Sequence, residues 1–123
     1  MYNEERKKEY LRHVVEDLGQ TPQSAKALFN KTEDYEDLLN KDLCDFTFSE
    51  IDKLLSTFAA SSINALRKNI SVLRKYADWC CSCNISIDNI NHYDEINMEI
   101  ESLQKYLNKE RAVCPSRGFK GYF

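Results

Sequence analysis

Residues 65–79, ALRKNISVLRKYADW, carry four cations, Arg67, Lys68, Arg74 and Lys75, on a stretch that is otherwise apolar around most of a helix. At about 100° per residue, Asn64, Arg67, Lys68, Ser71, Arg74, Lys75 and Asp78 share a sector of about 120°, and Asn69 is the polar residue outside it. Arg67 and Arg74 stand two turns apart, about 10 Å along a helix axis, a span that can straddle a groove and touch phosphates on either side. Guanidinium forks grip phosphate oxygens in pairs, while lysines act as mobile point charges. From pattern alone, the simpler account is a solvated face of a core helix whose charge Asp78 moderates.

Other chemistry is scarce. The sequence has neither a Gly-rich phosphate loop nor a G-x-S-x-G elbow. His13 falls on the polar side of its helix and His92 in a polar loop, so both read as surface residues rather than general bases. Residues 33–52 concentrate negative charge (Glu33, Asp34, Glu36, Asp37, Asp42, Asp45, Glu50 and Asp52 against Lys41) without the spacing of a calcium loop. A solvated acidic face is the default there. Five cysteines, Cys44, Cys80, Cys81, Cys83 and Cys114, are an odd number, and no histidine stands in ligand spacing with the 80–83 cluster. On a helix Cys80, Cys81 and Cys83 point in different directions, so reduced, packed thiols are expected, with no metal and no cofactor. An enzyme is not expected.

The elements that must hold the basic strip are helical almost throughout. The 123 residues suit one core, with 42% hydrophobic and 11% aromatic residues, and three Gly and two Pro are too few for an all-β chain. No apolar run approaches the roughly 18–20 residues that span a bilayer, and the charged opening is unlike a secretory leader. The expectation is a soluble intracellular protein with no membrane partner. A net charge of −3 argues against indiscriminate nucleic-acid binding by the whole surface, but leaves room for a local positive strip.

Asn3 is expected to cap a first helix opened by Glu4 and Glu5, with Tyr10, Leu11, Val14, Val15 and Leu18 inward and Gly19 at its end. Thr21-Pro22 opens a second helix carrying Ala25, Leu28 and Phe29, and Thr32 a short third with Tyr35, Leu38 and Leu39. Thr47 and Glu50 have capping-box spacing ahead of Ile51, Leu54, Leu55 and Phe58. Ser61 or Ser62 starts the longest helix, running to about Cys83. In it Ile63, Leu66, Ile70, Leu73, Ala77 and Cys80 form a stripe flanked by Val72, Tyr76 and Trp79, which makes this helix the centre of the bundle. Residues 84–92 read as a loop. A last helix over about 94–110 would put Ile96, Ile100, Leu103 and Leu107 on a narrow stripe, ahead of an aromatic tail.

ISVLRKYADW, residues 70–79, resembles the L-S-x-L-R-x-F-x-x-W signature of the N-terminal core-binding domain of tyrosine recombinases and phage integrases. The likeness is nearer to one branch, the recombinase-like phage lytic-cycle repressors, through MYNE (1–4), ALFNK (27–31), KDLCDF (41–46), YADWC (76–80) and NINHYDEI (89–96). The resemblance implies an all-α, SAM-like bundle of about five to six helices around one long central helix. It also implies a half-clamp on double-stranded DNA, with Lys68, Ser71, Arg74 and Lys75 near the backbone and Ser62 and Asn64 where base or phosphate contacts are made. Arg67 joins that set through the strip. The resemblance divides the chain into a core-binding-like domain over 1–93, an additional helix over 94–111 and a tail over 112–123. Recombinases keep their Arg…His-x-x-Arg…Tyr constellation in a second domain that these residues do not contain, so no catalysis is expected.

Three functions follow as expectations. The first is a DNA-binding protein of phage regulation, acting in the cytoplasm of a bacterial host. The second is a phage-encoded inhibitor of a host or phage protein, in the manner of anti-CRISPR proteins, using the acidic surface of Asp34, Glu36 and Asp37. The third is homodimerisation through the stripe Ile96, Ile100, Leu103 and Leu107.

Overall fold

The stripe Leu66, Ile70, Leu73, Ala77 and Cys80 becomes the fully buried face of a 20-residue helix, Ile63–Ser82, around which the other elements close. In the computed structural model, residues 1–58 and 60–107 are described. They form α1 (Glu4–Glu16), α2 (Gln23–Leu39), α3 (Phe48–Thr57), α4 (Ile63–Ser82) and α5 (Ile100–Leu103), with 3-10 turns at Leu43–Asp45, His92–Glu95 and Gln104–Tyr106. The class is all-α. Extended pairing among the described residues is limited to a single bridge between Ala60 and Leu107.

Local signals explain the starts of α3 and α4. The Thr47 hydroxyl accepts from the Glu50 amide at 3.3 Å, and the Glu50 carboxylate accepts from the Thr47 amide at 2.8 Å, completing the capping box. The Ser62 hydroxyl accepts from the Ala65 amide at 3.1 Å, so it is Ser62 that opens α4. Tyr10 of α1, Phe29 of α2 and Tyr76 of α4 meet edge to face at 4.9–6.0 Å, with Trp79 alongside. Such pairs add about 0.5–1.5 kcal/mol each beyond burial.

Four expectations are corrected. Asn3 does not cap α1: it sits at φ 50, and its amide donates to Asp42 instead. On α1 the buried positions are Lys7, Tyr10 and Val14, while Val15 and Leu18 are about half exposed; a lysine occupies the inward stripe. No helix begins at Thr32. No Gly or Pro interrupts residues 23–39, and the Thr32 hydroxyl bonds back to the Phe29 carbonyl and onward to Glu36, so α2 runs unbroken to Asn40 at φ 54.

The fourth correction concerns the C-terminal segment. Residues 94–107 are not one helix, and 108–110 lie outside the described residues. The Asn97 side chain takes the Glu99 amide at 3.0 Å, a local turn that competes with helix, and only Ile100–Leu103 is α-helical. Ile96 and Leu103 are buried, Leu107 is half-buried beside Ala60, and Ile100 is 51% exposed. Burying each large aliphatic side chain contributes about 1.5–3 kcal/mol. Among the described residues, Ile96, Leu103 and in part Leu107 of the stripe thus pack against this chain's own core, while Ile100 faces outward.

Candidate nucleic-acid interface

The basic strip of α4 divides along its length. Arg67 and Arg74, seven residues apart, lean towards the segment after the helix. The Arg67 guanidinium donates to the Met98 carbonyl at 2.9 Å. That of Arg74 donates through Nη2 to the Tyr93 carbonyl at 3.3 Å, and its Nε lies 3.2 Å from the Asp94 carboxylate. Lys68 and Lys75 remain exposed, with half-buried Ser71 between them on the same face. Ser62 and Asn64 are exposed at the helix start, where the Ser62 hydroxyl already serves as a cap.

The lysine face opens onto a groove of about 390 Å³ between α4, the end of α1 and the start of α2. Its floor is apolar, with Tyr10, Val14, Ala25 and Val72; Gln20, Thr21, Ser24 and Ser71 supply hydroxyl and amide groups at the edges. The groove extends past Lys68 towards Lys31, whose ammonium lies 5.2 Å from the centre of the Phe58 ring. The first turn of α2 contains no acidic residue. A helix start carries partial positive charge, which adds here to that of Lys68 and Lys75. Gln20, Thr21 and Ser24 were not read as site residues from sequence. Their only signal is local, a turn whose hydroxyls precede an acid-free helix start.

Beneath this surface lies a buried ionic cluster. The Lys7 ammonium, fully buried, donates to Glu36 at 2.6 Å, to Asp42 at 3.0 Å and to the Tyr2 carbonyl at 2.6 Å. Asp42 also accepts from Asn3, the Cys44 amide and the Tyr76 hydroxyl, the last at 2.8 Å. Glu36 takes the Leu43 amide and the Thr32 hydroxyl. Burial pushes Glu36 up to about 7, with the Lys7 charge offsetting part of that push. Burial also acts to raise Asp42, but the neighbouring Lys7 and the Cys44 amide outweigh it and hold its carboxyl below the ordinary range.

Glu36 is therefore not part of an acidic surface. Asp34 and Asp37 are exposed, but the third member of the expected trio faces inward and is paired, because α2 turns that side towards Lys7. The thiols of Cys44 and Cys80 and the Asp42 carboxylate lie within 4.8 Å of one another, which resembles a ligand set. Yet the four donors named above occupy both oxygens of Asp42, and the Arg6 guanidinium donates to the Cys44 sulfur at 3.6 Å. A metal would have to displace that whole network. Cys80 is buried, Cys81 half-buried and Cys83 exposed, the divergence expected of neighbours on a helix, while Cys114 lies outside the described residues.

The two histidines are ion-paired at the surface. His13 Nδ1 lies 2.7 Å from Asp17, and His92 sits between Asp88 and Glu95, 2.7 Å from each. Hydrogen bonds to Asp88 and then Glu95 raise the His92 pKa. A raised histidine stabilises the fold fully below its ordinary value, and that contribution is lost as pH rises through the folded one. His92→Gln is expected to cost about 0.5 kcal/mol at pH 6, a size set by solvent screening, and close to nothing at pH 9. Urea titrations of both proteins at the two pH values measure it; equal costs would refute the assignment.

The all-α bundle around a long central helix fits a core-binding domain of the kind found at the N-terminus of phage recombinase-like proteins, and the comparison with known families bears this out. The chain belongs to the family described as MrpR, N-terminal core-binding domain, whose model matches residues 1–82, from the first residue to the last of α4. It is also similar to the SPbeta prophage-derived uncharacterized protein YopR of Bacillus subtilis (strain 168), 34% identical over 86 residues. That match covers 70% of this chain and 26% of the relative, so the chain spans about a quarter of that protein's length. The segment from Asn91 to Met98 that reaches Arg67 and Arg74 lies beyond the family match.

Proposed function

We propose that this chain is a non-catalytic DNA-binding module of a phage or prophage regulator, holding duplex DNA by its phosphates. The observation that carries the reading is the exposed pair Lys68 and Lys75, flanking a polar-edged groove at the acid-free start of α2. Membership of a core-binding family over α1–α4 supports it, since the matched residues include every side of that groove. Phosphate contacts position a protein on DNA without reading sequence. The surface offers Lys68 and Lys75 first, Lys31 at the edge, and Ser24, Thr21 and Ser71 as hydroxyl donors. Arg67 and Arg74 enter only in so far as the segment after α4 releases them.

The test is the affinity for a short fluorescent duplex measured against salt concentration. Three or so phosphate contacts predict a log–log slope of about −2 to −3. A shift insensitive to salt, or no binding at low ionic strength, overturns the reading.

A further inference from the structure

We infer that Asp94 is an affinity-setting residue, an internal carboxylate that holds Arg74 in place of a DNA phosphate; this rests on the DNA-binding reading above. Arg74 is incompletely satisfied. Its Nε is buried without a hydrogen bond, although the Asp94 carboxylate is 3.2 Å away, and its Nη2 has only a long bond to the Tyr93 carbonyl. A guanidinium in that state has donors to spare for an anion of better geometry.

Asp94, by contrast, is held in place by its neighbours while its own head stays open. The adjacent Tyr93 is buried and donates its hydroxyl to the Leu43 carbonyl at 2.8 Å. Asn91 accepts the Tyr93 amide and donates to both the Arg74 carbonyl and the Asp78 carboxylate, which fixes the turn against α4. The Asp94 side chain is 62% exposed, so dislodging its carboxylate from Arg74 costs little. Of the acids on this stretch, Asp88 and Glu95 are engaged by His92 and Asp94 alone faces the strip. The contact lies past residue 82, the last that the family model matches.

The experiment compares Asp94→Asn with the wild-type chain on the same duplex across salt. Asp94→Asn is expected to bind about three- to tenfold more tightly at 0.1 M salt, with a slope steeper by about one as Arg74 gains a phosphate. In an Arg74→Gln background the gain disappears. Asp37→Asn, which removes a distant exposed charge, controls for net charge, and circular dichroism controls for folding. An unchanged affinity and slope while the wild-type chain binds normally, or an equal gain without Arg74, overturns the inference and leaves the DNA reading standing. If neither protein binds duplex, both fail. Binding by Asp94→Asn alone supports both.

Discussion

Lys7→Met is expected to lower stability by about 3–5 kcal/mol at pH 8. Methionine fills nearly the same volume, so the loss comes from charge rather than a cavity. Glu36 and Asp42, both buried, would lose the cation that lies 2.6 Å and 3.0 Å from them. Glu36 already titrates near 7 with Lys7 present, against an ordinary value of 4.5. Its native form therefore holds a proton that the unfolded chain releases, and this group favours the fold less as pH rises from about 4.5 through 7. Without Lys7 the same group is pushed higher still, so the cost of the substitution shrinks as pH falls from 8 towards 5. Asp42 behaves oppositely. Its depressed carboxyl contributes stability above its ordinary value of 3.8 and loses it as pH falls through the folded value. Urea unfolding at pH 8 and pH 5 reads both effects, and Glu36→Gln added to Lys7→Met should recover a large part of the loss. A cost under about 1 kcal/mol at pH 8 would mean the cluster is hydrated and its partners interchangeable.

This cluster also ties together the elements that line the groove. Lys7 belongs to α1, Glu36 to α2, Asp42 caps the Leu43–Asp45 turn, and Tyr76 belongs to α4. Three of those four elements line the groove on the other side of the same core. A buried ionic network contributes modestly to stability, but its geometry is demanding. Together with the aromatic contacts of Tyr10, Phe29 and Tyr76, it bridges α1 and α2 to α4, the helices that carry the start of α2 and the two lysines.

What could be read in the sequence follows the range of the forces involved. The face of α4 and the capping box at Thr47 were legible because both are set within a turn or two of helix. Lys7 was hidden because a lysine three residues before Tyr10 and seven before Val14 looks like a break in the stripe; only the return of α2 and residue 42 makes it a core residue. The division of the strip was hidden for the same reason. Arg67 and Lys68 are adjacent in a polar sector, and nothing local tells that Met98, 31 residues on, takes one and leaves the other. The spacing of Ile96, Ile100, Leu103 and Leu107 is as consistent with an outward seam as with an inward plug. Ile96 and Leu103 are buried against the core, and between them the Asn97 side chain takes the Glu99 amide where a continuous helix was expected.

Reversing the two exposed lysines, Lys68→Glu with Lys75→Glu, is expected to weaken duplex binding on the order of 1,000-fold at 0.1 M salt and to flatten the salt slope by about two. The size follows from removing two charge-assisted phosphate contacts, each worth about 1.5–3 kcal/mol when made, and replacing them with repulsion. Neither lysine belongs to an ion pair among the described residues, so folding should be untouched and the thermal midpoint unchanged. The matching reversal of Arg67 and Arg74 should behave differently. Those guanidiniums are engaged by the Tyr93 and Met98 carbonyls and Asp94, so the variant should lose stability while losing less affinity than the lysine variant. Gel shift and thermal melting on both double variants separate the two faces of one helix. If the arginine reversal abolishes binding in a folded protein while the lysine reversal does not, the DNA lies on the opposite side of α4, and the groove beside α2 is not where it is held.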